Sequence, residues 1–552
     1  MSPDTRWALV RPVGTAVCLG RSPRARRGVV LSLLALIPLI ACAGSPGPNR
    51  LEANDGAGKL FARAYSQVME YYLEPLTAQE AALAALKKLT VLDSEVTVTD
   101  AAGTIELRDA GKLIERVKSS PERDWRGWGS ITSTLLHDAK LQSPKLAALS
   151  DDEIEQTMFS GLTGTLDRFS RYASPETARE QRASREGFEG LGITLEYAAD
   201  EVRVTAVIPG SPADREGIMV DDRLVAIEGV STASLSRTDV MARLRGTAGS
   251  RVAVTLARPG QPAPIGKIVA RAYISVPTVS ARREDGIGII RISSFNQHTT
   301  ESLRAEFARL RGDTRGALRG VILDMRGNPG GLLDQSVAVA DSFMSNGRIV
   351  ATRGRNPGSF QEFDATAGDI TGGLPIVVLM NGGSASAAEI VAAALQDSGR
   401  AIVVGTSSFG KGTVQTVLRL PNDGELTLTW ARLITPGGYI LHEHGVVPNV
   451  CTSGTADDEQ AVAAMIRKTA AVGAGDALAR VSLDEQGWSR LRGTCPTRTG
   501  DRVADLEAAK RLIGDPKLYA HIIHAEPPSV AAAVAQPHSA ELSAQSSRPA
   551  TP

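Results

Sequence analysis

The sequence predicts a multidomain α/β (α+β) protein, and three observations carry that expectation. Four nearly continuous apolar stretches, "GIGIIRISSF" (286–295), "GVILDMRG" (320–327), "LPIVVLM" (374–380) and "RAIVVG" (400–405), alternate with helical stretches. Strands apolar on both faces and separated by helices build βαβ units with a sheet covered on both sides. From about residue 187 the character changes to short strands and tight turns for roughly 85 residues. Helical periodicity dominates both flanks, at 59–92 and after 456. At 552 residues the chain has room for three or four domains of about 150 residues each.

Taken in order, the chain opens on an export signal. "RSPRARRG" (21–28) is basic, "VVLSLLALIPLIA" (29–41) is apolar, and Cys42 follows. Thirteen residues make a helix of roughly 20 Å, short of the roughly 30 Å hydrocarbon core, so a signal peptide is expected over a membrane-spanning anchor. "LIAC" (39–42) resembles a bacterial lipobox, whose cysteine, here Cys42, is acylated and becomes the mature N-terminus. An ordinary secretory signal is the plainer alternative, and "RRGVV" (26–30) faintly resembles a twin-arginine signal. The expectation is a protein exported from a bacterial cytoplasm and lipid-anchored to a membrane on the periplasmic side. Basic and acidic residues number 61 each, so no net charge draws the chain to nucleic acid.

"SPGPNRLEANDGAG" (45–58) reads as a tether, and "LFARAYSQVMEYYL" with "AALAALKKLTVL" as an amphipathic helical pair. "EVTVTDAAGTIELRD" (95–109) alternates like a small hairpin around Ala102-Gly103. A helix follows in "DDEIEQTMFSGLTGTL" (151–166), capped by Ser150 or Asp151. In the strand-rich stretch, "GFEGLGITLEY" (187–197), "EVRVTAVI" (201–208), "RLVAIEGV" (223–230) and "RVAVTLARPG" (251–260) read as strands. "SPADREG" (211–217) and "SRTDVMARLRG" (236–246) read as helices between them. The apolar strands of the α/β region are separated by helices in "TESLRAEFARLRG", "LLDQSVAVADSFM" and "SAAEIVAAALQDSG". Helices return in "DEQAVAAMIRKTAAV" and "VADLEAAKRLIG", and residues 525–552 have a disordered composition. Cys451 and Cys495 can pair in an oxidising compartment, worth roughly 4 kcal/mol in the chain-entropy model, or stand as two buried thiols.

Three segments carry chemistry. In "MNGGSASAAEI" (380–390) two serines stand on the turn between a buried strand and a helix. A helix N-terminus offers free N–H groups and partial positive charge, so a serine there has donors ready for an oxyanion; serine is also a common cap. In "FGKGTVQ" (409–415) a lysine is flanked by glycines, in apolar surroundings with no carboxylate nearby in sequence. A lysine is a base only when neutral; at the reference pKa about 0.04% is neutral at pH 7, and desolvation can supply the roughly 4–5 kcal/mol that lowers it. In "DMRGNPGGLL" (324–333) Gly330 and Gly331 can bring backbone N–H groups close to a ligand, completing an oxyanion hole with that of Ala387. A plain strand–helix turn explains the same glycines. His442 and His444 in "LHEHG" alternate to opposite strand faces and lack a third ligand at zinc spacing. No metal or cofactor is implied.

Together "RISSFNQHTTESLR" (291–304), "VILDMRGNPGGLL", "NGGSASAAEIVAAALQDSGRAIVVG", "FGKGTVQT" and "ITPGGYILHEHGVVPNV" (434–450) resemble the C-terminal processing peptidases, or tail-specific proteases. These are Ser/Lys endopeptidases with a crotonase/ClpP-like core and an inserted PDZ domain. The resemblance implies Ser386 as nucleophile with Ser384 structural, Lys411 as general base, Gln415 as its orienting partner, and oxyanion donors at Ala387 and the Gly330-Gly331 pair. In the PDZ-like stretch "GLGI" (Gly190, Leu191, Gly192, Ile193) matches a carboxylate-binding loop, and Val240 and Leu244 would line a pocket for an apolar last side chain. "LDRFSRYASPE" (166–176) matches the family's segment before that domain. Departures are Ala388 for a frequent serine, Asp221 for a usual glycine, Arg168 for a usual proline, and an insertion over 93–150.

The implied organisation is a signal with lipobox (1–42), tether (43–58), N-terminal helical region (59–182), PDZ domain (183–272), peptidase core (273–455), C-terminal helical region (456–523) and disordered tail (524–552). The implied function is an exported serine endopeptidase acting on proteins with apolar C-termini, with an activating adaptor as a further class of partner. Two other readings use the same segments: a non-catalytic PDZ scaffold that binds C-termini, and an enzyme acting on small acyl substrates, as related crotonase-like folds do.

Overall fold

Four helices, Gly56–Tyr71, Ala78–Leu86, Trp125–Gln142 and Asp151–Thr163, bury one aromatic-rich core around Leu60, Phe61, Tyr65, Trp128 and Phe159. They belong to a computed structural model that describes residues 56–101, 103–198, 201–313, 316–366, 368–472 and 483–523. The expected signal, lipobox cysteine Cys42 and C-terminal tail lie outside the described residues. Among those residues no helix is long and apolar enough to cross a membrane. Ser150, not Asp151, caps its helix, exchanging hydrogen bonds with Glu153 in a capping box. The hairpin expected at 95–109 gains a third strand, Lys112–Lys118, giving a three-stranded antiparallel sheet. That strand is half exposed, so its apolar alternation is diluted by charge.

The β-rich module has a sheet of antiparallel strands in the order Ile265–Ala270, Arg251–Ala257, Arg223–Ile227, Glu201–Val207, Ile193–Ala198. Helices Pro212–Arg215 and Arg237–Leu244 pack on it. "GFEGLGITLEY" is two strands rather than one, broken where Gly192 turns with φ +85°. The first piece, Phe188–Gly190, pairs instead with Ala272–Ile274, which closes the module. Asp221, where the resemblance expects glycine, has φ +69°, a region aspartate tolerates better than most residues.

The α/β core is a six-stranded sheet in the order β1 (Val279–Glu284), β2 (Ile287–Ile292), β3 (Gly320–Asp324), β4 (Ile376–Met380), β5 (Ile402–Gly405), β6 (Val450–Cys451). Only β1–β2 is antiparallel. Its side chains sort by parity, as strands buried on both faces must. Ile290, Ile292, Val321, Leu323, Val378 and Val403 meet helices α1 (Thr299–Arg311), α2 (Leu333–Asp341) and α3 (Ala387–Asp397). Ile289, Ile322, Val377, Leu379 and Val404 meet the other layer. That layer comes from α4 (Glu459–Val472), α6 (Val503–Gly514) and α7 (Pro516–Ile523); α5 (Glu485–Gly493) falls between α4 and α6 in sequence and packs its Trp488 on Tyr439 and His444. The C-terminal helices are therefore a face of the core. The crossover helices α1 to α3 all lie on one side, and the second apolar face needs a cover.

A second antiparallel sheet runs Gln361–Asp364, Arg348–Arg353, Glu425–Ile434, Thr413–Arg419. Arg171–Ala173 adds to Glu425–Ile434, and Leu426 and Leu428 of that strand enter the N-terminal helical core. This sheet carries the segment 166–173 to the mouth of the candidate site.

Candidate active site

Three loops leave the carboxyl ends of β3, β4 and β5, where open α/β sheets bind ligands. The loop after β4 holds both serines, and they differ in kind. Ser384 is fully buried; its Oγ donates to Met325 O at 2.8 Å and accepts from Asn381 N–H at 3.0 Å. Both capacities are engaged in joining this loop to the one after β3. Ser386 is the N-cap of α3 and has φ 55° and ψ −114°, a sparsely populated conformation for a residue with a Cβ.

What fixes Ser386 is Glu389, one turn into α3. Its carboxylate is fully buried and accepts four hydrogen bonds. Oε2 takes Ser386 N–H at 2.7 Å and Lys411 N–H at 2.9 Å; Oε1 takes Ser408 Oγ–H at 2.5 Å and Gly410 N–H at 2.7 Å. Burial pushes this carboxyl up, and the four donors draw it back. The "S-x-x-E" spacing from Ser386 was a capping-box signal in the sequence, and it marks the residue that sequence reasoning left unassigned.

Lys411 sits half-buried with Nζ 5.1 Å from the centre of the Phe169 ring. Burial is the main cause that holds its ammonium pKa below the ordinary value, and the Arg171 cation adds to it. Asp167 and Glu389 pull the other way, which corrects the expectation of a pocket without carboxylates: both are brought in by the fold from outside the lysine's own loop. The covering residues come from "LDRFSRYASPE"; Arg168 itself lies over Phe169 and near Phe409. Gln415 Nε2 donates to Thr413 Oγ1 at 2.9 Å and Thr429 Oγ1 at 3.2 Å, and Thr429 Oγ1 donates to Asp167 Oδ2 at 2.7 Å. Its hydrogen bonds thus reach the lysine's pocket through Asp167. His442 lies edge-on to Phe169 and His444 stacks on Trp488, so the two part company; they do so on a turn, with Glu443 at φ +66°, and not by alternation on a strand as expected. Among the described residues no three His, Cys, Asp or Glu side chains are grouped to hold a metal.

The glycine turn lies against this serine. A Cβ on Gly330, where φ is +98°, would fall 2.9 Å from Ser386 Cβ and 3.0 Å from Ala387 N. Gly330 N–H, however, donates to Asn328 Oδ1 at 2.8 Å, which takes it out of the expected donor pair. Gly331 bridges Phe295 in parallel fashion: Phe295 N–H meets Gly330 O and Leu332 N–H meets Phe295 O. In that pattern the bridging residue's own N–H points away from its partner. Ala387 opens α3, so its N–H lies outside the helix's own ladder. Asn328 and Asn381, both buried, pin the two loops; Asn381 Oδ1 accepts from Gly327 and Gly383 at 2.9 Å each.

In the β-rich module Gly190 ends its strand and Ile193 begins the next. Leu191 O accepts from Ala213 N–H and Gly192 O from Ile208 N–H, each at 2.9 Å, so these carbonyls face into the module. A Cβ on Gly192 would collide with Ser211 Cβ, which reserves the position for glycine. Val240 and Leu244 are buried beside Leu191 in one cluster.

Two family models match this chain: peptidase family S41 over residues 286–452 and the PDZ domain over residues 203–258. The chain is 38% identical over 302 residues to a carboxy-terminal-processing protease of Bartonella bacilliformis, covering 54% of this chain and 70% of that one. It is 33% identical over 324 residues to a carboxyl-terminal-processing protease of Synechocystis sp., covering 57% and 74%. Among solved structures, the photosystem II D1 C-terminal processing protease is 25% identical, covering 71% of this chain and 92% of that one, with a TM-score of 0.37. A non-catalytic scaffold is not favoured. The chain belongs to the carboxy-terminal processing proteases of peptidase family S41 and is a serine peptidase carrying a PDZ domain.

Proposed function

We propose that Ser386 is the nucleophile and Lys411 its general base in an endopeptidase that recognises the apolar C-termini of its protein substrates. The observation that carries this reading is Glu389 Oε2, which accepts from the N–H groups of both residues and so registers two loops 25 positions apart in sequence. Neutral Lys411 takes the proton from Ser386 Oγ as that oxygen attacks the scissile carbonyl. The N–H groups of Ala387 and Gly331 receive the oxyanion, with Gly330 shaping the turn rather than donating. The Lys411 ammonium returns the proton to the leaving amine, and water then hydrolyses the acyl-enzyme by the same steps. Gln415 acts on the lysine through Thr429 and Asp167. Gly190 to Ile193 cradle the chain-terminal carboxylate of the substrate, and Val240 and Leu244 floor the pocket for its last side chain.

Export through the signal at 1–42, acylation of Cys42, attachment to a membrane on the periplasmic side and activation by an adaptor complete the reading. Their support is the sequence pattern alone. Cleavage of an unfolded protein with an apolar C-terminus tests the core proposal, comparing residues 43–552 with the same chain carrying Ser386→Ala. Cleavage lost in the variant, with the tail still bound, is the expected result; equal cleavage by both overturns Ser386. For the anchor, palmitate incorporation that disappears in Cys42→Ser is expected, and incorporation that persists rejects it.

A further inference from the structure

The S41 match ends at residue 452, yet both candidate loops lean on residues after it. Residues 497–500 brace the serine turn: Gly382 N–H donates to Arg498 O at 2.5 Å, and Asn381 Nδ2 donates to Gly500 O at 3.0 Å. Arg492, on α5, braces the lysine loop. Its Nη2 donates to Ser408 O at 3.0 Å and its Nη1 to His444 O at 2.5 Å. A Cβ on Gly445 would lie within 3.1 Å of Arg492 Nη1, Ser408 Oγ and Glu389 Oε1, so these three polar groups crowd one point. Trp488, one turn earlier on α5, is buried against His444 and Tyr439. The segment is tied down on both sides, by the Cys451–Cys495 disulfide and by Arg326, which donates to Arg502 O and to Asp505.

We propose that residues 488–505 are a built-in clamp on the active site, and that Arg492 is a positioning residue for the lysine loop. This rests on the Ser386/Lys411 reading. Ser408 links the two layers, since its carbonyl accepts from Arg492 while its hydroxyl donates to Glu389. The guanidinium also sets a cation near the buried Glu389 carboxylate. Without the clamp, the lysine's main chain loses its outer support and the base drifts from the serine. Misplacement on the scale of an ångström costs rate far more than it costs substrate binding.

The test compares Arg492→Gln and Arg492→Lys with the parent, in the chain of residues 43–552. Three quantities are read: kcat and KM on a peptide with an apolar C-terminus, the rate of Ser386 labelling by a fluorophosphonate, and the melting temperature. Arg492→Gln is expected to lower kcat and labelling together by about 20-fold or more, with KM within about threefold. Arg492→Lys, which keeps the cation but reaches one carbonyl at a time, is expected to recover part of the loss. Unchanged kcat in Arg492→Gln overturns the clamp. So does a loss of kcat and melting temperature together in both variants, which assigns Arg492 to stability alone. Labelling of the parent at Ser386 stands apart from these outcomes; its absence rejects the underlying serine assignment instead.

Discussion

The backbone N–H groups of Ser386 and Lys411 converge on one atom, Oε2 of Glu389, at 2.7 Å and 2.9 Å. A carboxylate has the acceptor capacity to hold these two donors and the two on Oε1; an amide does not. Glu389→Gln turns an NH2 group toward one of the two donor pairs, either the N–H groups of Ser386 and Lys411 or the Ser408 hydroxyl and Gly410 N–H. Each buried donor left without a partner costs about 1–3 kcal/mol. The expected result is a lower melting temperature and a kcat reduced by about 100-fold with KM little changed. A Glu389→Gln enzyme that acylates at the parental rate in single-turnover experiments would sink the idea that this carboxylate sets the register.

Ser386 stores strain, and the strain is separable from its chemistry. At φ 55° and ψ −114° any side chain is disfavoured, whereas glycine adopts the conformation freely. Both Ser386→Ala and Ser386→Gly remove the nucleophile. Only the glycine variant removes the strain, so it is expected to be the more stable by about 1 kcal/mol despite its more flexible unfolded chain. Denaturant unfolding of the two inactive proteins measures the difference. An alanine variant as stable as the glycine one would show that the turn is relaxed.

Cys451 and Cys495 lie 44 positions apart with Cα atoms 5.7 Å from each other, and their bond fastens the end of β6 to the segment after α5. Loop closure of that length is worth about 4 kcal/mol in the chain-entropy model. Reductant is expected to lower the melting temperature of the parent and to leave that of the Cys451→Ser/Cys495→Ser double variant unmoved. A parent insensitive to reductant under denaturing titration would mean that the bond contributes nothing the surrounding packing does not already supply.

Much of this architecture is legible in the sequence because local chemistry and tertiary position agree. The runs in β2 to β5 are apolar at nearly every position, Arg291 and Asp324 near the carboxyl ends of β2 and β3 excepted, and burial on both faces accounts for that. Ser384 and Ser386 look alike in "GGSASA", yet one faces Met325 and the other caps a helix; the difference is a matter of which loop lies opposite, and no spacing encodes it. The same holds for Lys411. Its covering ring, Phe169, comes from more than 200 residues upstream, carried there when Arg171–Ala173 pairs with the strand Glu425–Ile434. The hairpin of Thr413–Arg419 and Glu425–Ile434 has its own period-two signal, which a reading in βαβ units passes over. Gly330 illustrates the limit in miniature. Its identity announces a close approach, and the structure shows that the approach is to Ser386, while its N–H belongs to Asn328.

The pocket around Lys411 makes a prediction about pH whose sign can be worked out. A lysine base acts only when neutral, so kcat/KM rises with pH through its pKa. Burial lowers that pKa first and Arg171 second, against the pull of Asp167 and Glu389. Arg171→Gln removes a like charge, so the ammonium becomes easier to form and the acid limb moves to higher pH. Phe169→Ala has two opposed effects. It removes a ring that favours the cation by about 0.5–1 kcal/mol, and it admits water to an ammonium that was partly stripped of it. Hydration of a charged group is the larger quantity, so this variant moves the limb in the same direction as Arg171→Gln. Rates measured from acid to alkaline pH should therefore show both variants slower than the parent near neutrality and converging on it at high pH. A limb displaced toward lower pH in Arg171→Gln would mean that Lys411 is not the titrating base.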